Sequence, residues 1–140
     1  MKIGFLKIIV VLAFINLIIG CSEEETTAPT ANPSTAPLAK FSDLQAKIFN
    51  SCAVDGCHAS GSVQGNLDLS SGQAYANLVG VQSVLYPQFK RVEPGSAGNS
   101  MLIKILKGEL SPQMPLNRTP LSSDVIDSIE AWINSGALNH

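Results

Sequence analysis

Residues 52–58, with the sequence CAVDGCH, constrain the fold of this chain more than any other segment. They contain two of its three cysteines and one of its two histidines. Cys57 and His58 are adjacent, and four residues separate Cys57 from Cys52. The two thiols are close enough to form a disulfide, and the thiols and the imidazole together could hold a metal or a cofactor. Each of these would fix the local fold.

Two cysteines with a histidine directly after the second are typical of covalent haem attachment, for which the usual spacing is C-x-x-C-H. Each thiol adds across a vinyl group of the haem to form a thioether, and the imidazole binds the iron from one side. Here the spacer is longer, C-x-x-x-x-C-H, and it must bulge for both sulfurs to reach. Gly56 suits a bulge because glycine adopts backbone angles closed to other residues. Cys52, Cys57 and His58 therefore predict one covalently bound haem.

Two other interpretations of residues 52–58 are open. A disulfide between the two cysteines would be stable in an exported protein, but it leaves His58 without a role. A structural zinc ion takes four ligands, which Cys52, Cys57, His58 and His140 together could supply. His140 is the last residue of the sequence, and chain ends are usually poorly ordered. We therefore favour haem over both.

The length and the charge of the chain set limits on its class. A chain of 140 residues is expected to form one domain. Its 9 basic and 11 acidic side chains give a formal net charge of −2. That balance gives no indication of nucleic-acid binding.

Residues 1–20 have the composition of a bacterial signal peptide. Lys2 and Lys7 precede an apolar run over residues 8–19, broken only by Asn16. The run is shorter than the roughly 20 residues that a membrane-spanning helix needs, so an uncleaved anchor is the weaker alternative. Its end, IIGC at residues 18–21, resembles the lipobox of bacterial lipoproteins, in which the cysteine is lipidated and becomes the first mature residue. Cys21 is therefore predicted to anchor the protein in the bacterial cell envelope, on the periplasmic side or at the outer membrane surface.

Residues 21–40 are predicted to form a disordered tether. They carry three consecutive glutamates, then threonine, alanine and serine interrupted by Pro29, Pro33 and Pro37. Such a segment cannot bury enough apolar surface to fold, and its prolines stiffen it. The folded domain is therefore predicted to cover residues 41–140.

The domain is predicted to be all-α with long loops, because no window shows sustained strand alternation. Ser42 and Gln45 form a capping-box pattern that predicts a helix over 42–50, leading into the cysteines. Further helices are predicted around 74–78, over the apolar residues after Ser96 up to Gly108, and from residues 122–123 to Gly136. The loops cover 59–70, with an apolar clip at 67–69, and 81–95 and 111–120. A domain with so many loops has little core, and a buried haem would supply an apolar centre.

These features together resemble the cytochrome c superfamily, and most of all its bacterial branch with C-x-x-x-x-C-H attachment, found in lipoproteins and in larger planctomycete-type cytochrome proteins. The segments that carry the resemblance cover about residues 41–138. In chain order they are CAVDGCH at 52–58, RVEPGS at 91–96, SML at 100–102, MP at 114–115, and LS at 121–122 running to AWINSGA at 131–137. The resemblance implies a small cytochrome c-like domain around one haem c, with His58 as the proximal iron ligand and Met114 as the distal one.

Two other residues could compete with Met114 for the iron. Met101 lies among Leu and Ile on a predicted helix, where core packing is the ordinary role of methionine, and ordering the terminal His140 would cost chain entropy. Met114 lies on a loop between prolines, which limits the backbone freedom lost on ligation. Arg91 is a further candidate, because arginine suits bidentate pairing with a haem propionate; a solvated Lys90–Arg91 pair is the alternative.

By resemblance, the protein is an electron carrier and not an enzyme. Ligation by both His58 and Met114 leaves no open iron position, so the domain would exchange single electrons with redox proteins of the cell envelope. One alternative is a haem sensor or an accessory haem domain of an envelope enzyme, in which Met114 does not bind. Another is a haem-free binding module held together by zinc or a disulfide.

Overall fold

The structure is a computed structural model that describes residues 40–140. The predicted signal peptide, the predicted lipidation site Cys21 and the tether up to residue 39 lie outside the described residues. Within residues 40–140 no helix is both long enough and apolar enough to cross a bilayer.

Helices joined by long loops make up the described part of the chain. An N-terminal helix, continuous over residues 41–52, consists of α1 (Phe41–Leu44), a π-helical segment (Gln45–Phe49) and α2 (Asn50–Cys52). It is followed by α3 (Ala74–Leu78), α4 (Met101–Leu106) and α5 (Ser123–Asn134), with 3-10 turns at Gln64–Asn66 and Ala97–Asn99. Residues 40–140 contain no strand, only two isolated bridges, Val79–Val92 and Gln82–Lys90. The predicted all-α class with long loops is confirmed.

The N-terminal helix differs from its prediction at both ends. The capping box is wrong: the helix already begins at Phe41, Lys40 occupies the N-cap position, and no side chain caps it. Phe41 is buried, so docking its ring in the core sets the start. Gln45 is also buried, and its amide donates to Asn50 Oδ1 at 2.7 Å and Leu69 O at 2.9 Å. At the other end the helix continues to Cys52, the first cysteine of the motif.

The start of α4 also differs from its prediction. Ser96 precedes the 3-10 turn Ala97–Asn99, and Ser100 occupies the N-cap position of α4. The Ser100 hydroxyl is turned back to Ser96 O at 2.9 Å and accepts from the Glu93 amide, so it does not cap the helix. The end agrees with the prediction, because Gly108 lies just beyond α4 with φ of 75°, in the left-handed region that ends many helices.

The Phe41 ring joins three elements of the core. Its centroid lies 5.9 Å from the ring of Phe49, 5.2 Å from Tyr75 in an edge-on arrangement, and 5.3 Å from Trp132. Aromatic pairs at these separations contribute roughly 0.5–1.5 kcal/mol each beyond burial. The start of the N-terminal helix is therefore fixed against α3 and α5. The rest of the core comes mainly from one face of α5 and from α4, and includes Ile126, Ile129, Ile133, Met101, Leu102, Ile103, Ile105 and Leu106.

Backbone hydrogen bonds fix two of the long loops. Residues 79–92 close on themselves: the Gly80 amide donates to Val92 O at 2.9 Å, and the Arg91 amide donates to Val81 O at 2.7 Å. In the loop over 59–70, Leu67 and Leu69 are buried, so the predicted apolar clip is confirmed. These two loops therefore have defined positions without forming long helices.

Candidate functional site

Residues 52–58, called here the attachment turn, form a closed turn at the end of the N-terminal helix. The Cys57 amide donates to Val54 O at 3.0 Å, and the His58 amide donates to Cys52 O at 3.2 Å. Gly56 has φ of 81°, which costs a residue with a Cβ roughly 1–2 kcal/mol, and its amide donates to Ser62 Oγ at 2.7 Å. The longer spacer therefore closes into one turn that holds both thiols and the imidazole.

His58 is half-buried, and one of its ring nitrogens is already engaged. Nδ1 lies 3.1 Å from Leu67 O. A carbonyl oxygen only accepts hydrogen bonds, so Nδ1 carries the proton, and in the neutral ring the lone pair is left on Nε2. Metal-binding histidines use this arrangement, in which a backbone carbonyl fixes the tautomer and raises the basicity of the ligating nitrogen. His58 is therefore prepared to bind a metal through Nε2.

The two thiols of the attachment turn are half-buried and are not joined in a disulfide. Burial raises the pKa of Cys52, and this effect is partly offset by a hydrogen bond from Ser51 and by the charge of Arg118. Cys52 therefore stays a protonated thiol at neutral pH. Both sulfurs are chemically available for thioether formation.

The loop over 111–120 carries Met114 and Arg118. The Arg118 amide donates to Pro115 O at 3.3 Å, and the charge of Arg118 acts to lower the pKa of Cys52.

Met114 is half-buried, packs against the core and is held by its backbone. Its amide donates to Ile105 O at 3.1 Å, and the Tyr86 hydroxyl donates to Ser111 O, so the loop is tied to α4 and to residues 81–90. Iron ligation by Met114 stays a prediction. Met101 lies in the core at 8% exposure, as its core-packing interpretation predicts.

Arg91 lies inside the protein rather than on its surface. It is 4% exposed, and its guanidinium donates to Asn77 O at 2.8 Å, Gly65 O at 2.9 Å and Asn66 O at 3.0 Å. Burial lowers the pKa of this guanidinium. The solvated alternative is therefore wrong for Arg91, whereas Lys90 forms a partly exposed ion pair with Glu93 at 2.9 Å. Pairing of Arg91 with a haem propionate stays a prediction.

The four ligands proposed for a zinc ion are not assembled. Within residues 40–140 no group of three or more His, Cys, Asp and Glu side chains is close enough together to hold a metal ion. The carbonyl of His140 accepts from the Ser42 amide at 3.2 Å, at the start of the N-terminal helix. Cys52 ends that helix, about 15 Å away at the α-helical rise of 1.5 Å per residue.

The residues of the attachment turn fit a covalently attached haem. Two unpaired thiols and a histidine with free Nε2 provide the donors, and none of them has another covalent partner. Val54 and Val63 are 37% and 39% exposed, and Ile48 and Ala53 pack only partly into the core. Exposed apolar side chains are therefore present within the attachment turn and in the loop that follows it.

No protein-family model, curated protein or solved structure matches this chain.

Proposed function

We propose that residues 41–140 form a cytochrome c-like electron-carrier domain with one haem c, attached through Cys52 and Cys57. His58 would bind the iron through Nε2, and Met114 would bind it from the opposite side. The observation that carries the proposal is the contact of His58 Nδ1 with Leu67 O at 3.1 Å. It leaves the ligating nitrogen of the histidine free, directly beside two thiols that are not joined to each other.

The haem, when bound, supplies a one-electron redox centre, and the chain's own residues set its properties. The Leu67 carbonyl fixes the ring plane of His58 and makes Nε2 a stronger donor. A thioether from Met114 is neutral and raises the reduction potential. With both ligands in place no substrate has access to the iron, which favours an electron carrier over an enzyme.

The proposal includes a place in the cell. A lipid on Cys21 would anchor the domain in the bacterial cell envelope, and the segment over 21–40 would separate the domain from the membrane. Its partners would be redox proteins that reach the same surface. Support for this part comes from the sequence, through the lipobox-like residues 18–21 and the three prolines after them.

Covalent attachment is tested by producing the mature chain together with a haem-attachment system and extracting it with acid–acetone. We expect one haem to stay with the polypeptide. Cys57→Ala should leave a single thioether, and Cys52→Ala with Cys57→Ala should leave none, whereas Ser71→Ala, at an exposed serine outside the turn, serves as the control and should keep both. Haem that passes into the solvent from the wild-type protein would refute covalent attachment.

The carrier proposal is tested on the same material with carbon monoxide. A carrier with two axial ligands should bind carbon monoxide weakly in the reduced state, because Met114 occupies the second position. Rapid binding by the wild-type protein would instead support the sensor interpretation.

A further inference from the structure

We propose that Arg91 is a positioning residue for His58: it holds the peptides before Leu67 so that the Leu67 carbonyl fixes the imidazole. This inference rests on the proposed function, because it concerns the orientation of the proximal iron ligand. It gives Arg91 a role that does not depend on a haem propionate.

Side chains engage three consecutive carbonyl groups of the loop over 59–70. The Arg91 guanidinium donates to Gly65 O and Asn66 O, and His58 Nδ1 donates to Leu67 O. The directions of successive carbonyl groups are coupled, since each residue has only two soft backbone dihedrals. Fixing the carbonyl groups of 65 and 66 therefore restricts the direction of the next one, which holds the imidazole.

The attachment turn and this loop are also joined through their backbones. The Gln64 amide donates to Cys57 O at 2.9 Å, and the Leu69 amide donates to His58 O at 2.8 Å. These two bonds enclose the carbonyl groups of 65–67. A movement of the loop therefore displaces His58 in two ways, through the hydrogen bond to its backbone carbonyl and through the hydrogen bond of its ring.

Arg91 can act as a fixed point because its own backbone is held on both sides. Its amide donates to Val81 O at 2.7 Å, and its carbonyl accepts from the Leu102 amide at 3.0 Å, just inside α4. Its third guanidinium bond, to Asn77 O in α3, holds the far end of the side chain. The loop that carries Leu67 is thus tied to α3 and α4 through one residue.

Arginine has donors in the geometry that this position needs. No acidic side chain forms an ion pair with Arg91 within residues 40–140, so its burial is compensated only by hydrogen bonds. Burying such a cation is costly unless its donors are satisfied. The planar fork of arginine presents several N–H groups at once to separate carbonyl oxygens, whereas lysine presents a compact ammonium group. Arg91→Lys therefore keeps the positive charge and removes the planar guanidinium group with its several N–H donors.

The test uses the mature protein labelled with ¹⁵N-histidine, in which only His58 and His140 give signals. We would measure hydrogen exchange of the His58 Nδ1 proton in the reduced protein, and the midpoint potential. The Nδ1 proton exchanges when its bond to Leu67 O opens, so we expect Arg91→Lys to speed exchange by about two- to tenfold, the factor that corresponds to the usual net strength of one hydrogen bond. The potential should rise, because an imidazole with a weaker Nδ1 bond stabilises ferric iron less. A tenfold change in relative ferric and ferrous affinity corresponds to 59 mV.

Three further variants separate positioning from charge and from stability. Lys40→Arg, a charge-conserving exchange at an exposed cation before the N-terminal helix, should change neither quantity. Tyr75→Phe removes the bond of the Tyr75 hydroxyl to Ala137 O at 2.9 Å; it should lower stability and leave the His58 proton unchanged. Gly65→Ala keeps Arg91 but strains a residue with φ of 62°, and it should reproduce the effect of Arg91→Lys even if that variant folds poorly.

Unchanged exchange and unchanged potential in both Arg91→Lys and Gly65→Ala would overturn the proposal. Failure of the proposed function has a different result. If no haem becomes covalently attached, the exchange of the His58 Nδ1 proton is measured in the same mature chain without haem. Its dependence on Arg91 then still decides whether Arg91 positions His58.

Discussion

Substituting Gly56 tests whether the closed attachment turn is needed for haem attachment, and Gly72 is a closely matched control position. Gly56 and Gly72 both have φ of 81°, both are exposed, and a Cβ at either position would meet no atom within 4 Å. Alanine would therefore introduce the same backbone strain at both positions and no steric clash. Only Gly56 lies between the two cysteines.

The free-energy cost of each substitution follows from the backbone alone. A left-handed residue with a Cβ costs roughly 1–2 kcal/mol, and the loss of glycine entropy in the unfolded chain offsets about 0.4–1 kcal/mol of it. A net loss of about 1 kcal/mol is expected for Gly56→Ala and for Gly72→Ala. For a domain of this size that lowers the melting temperature by roughly 4–8 °C. The two variants should be equally destabilised when the haem-free domains are compared.

The two variants should differ in haem attachment. A strain of about 1 kcal/mol lowers the ratio of closed to open turn roughly fivefold before the thioethers form. The initial rate of attachment, followed by haem staining after a short pulse of expression, should fall by up to about the same factor in Gly56→Ala and stay at the wild-type value in Gly72→Ala. Equal attachment rates in the two variants would show that the closed turn is not needed for attachment, and the reasoning would fail.

Three other predictions concern the second ligand, the neighbourhood of Cys52 and the anchor. Met114→Ala should remove the weak sulfur-to-iron absorption band, lower the reduction potential and open the iron to carbon monoxide; a spectrum unchanged from the wild type would exclude Met114 as a ligand. In the haem-free chain with Cys57 replaced by serine, Arg118→Met should slow alkylation of Cys52 below pH 9, because the charge that lowers the pKa of this thiol is lost, and Arg118→Lys should not. If both variants react at the wild-type rate, the charge of Arg118 does not act on Cys52. Cys21→Ala should release the protein from membranes or block its processing, and a processed variant that stays membrane-bound would rule out the lipid anchor.

The sequence predicts the helices of this domain better than it predicts their first residues. The last helix is found because its apolar residues recur with the period of a helix and occupy one buried face, as Ile129, Trp132 and Ile133 do. The start of the N-terminal helix is missed because a local capping pattern at Ser42 competes with a tertiary contact. The buried ring of Phe41 decides the start, and no local signal shows which aromatic residue meets α3 and α5.

The cysteines and the histidine of the candidate site are visible in the sequence, and the residues that hold them in place are not. Cys57 and His58 are adjacent, and their side chains are identified directly from the sequence. The partner of His58 is the carbonyl of Leu67, a group that every residue carries and that therefore leaves no mark in the sequence. Arg91 is predicted to pair with a haem propionate or, with Lys90, to form a solvated charge pair, whereas its three acceptors in the structure are backbone carbonyl groups contributed by two separate segments. A charged residue whose partners are all backbone groups is hard to assign from sequence for this reason.

The domain supports its candidate site from two directions, and this explains how long loops can hold a precise turn. The N-terminal helix carries Cys52 at its end and is fixed at its start by Phe41, packed against Trp132 at 5.3 Å. The loop that carries Leu67 is fixed by Arg91, and Arg91 is bonded through its backbone to the first turn of α4. The first support is apolar packing and the second is hydrogen bonding to a buried cation, so they respond to different changes. A weakened aromatic cluster should displace Cys52 together with its helix, whereas a loosened Arg91 should turn the ring of His58 while both thiols keep their places.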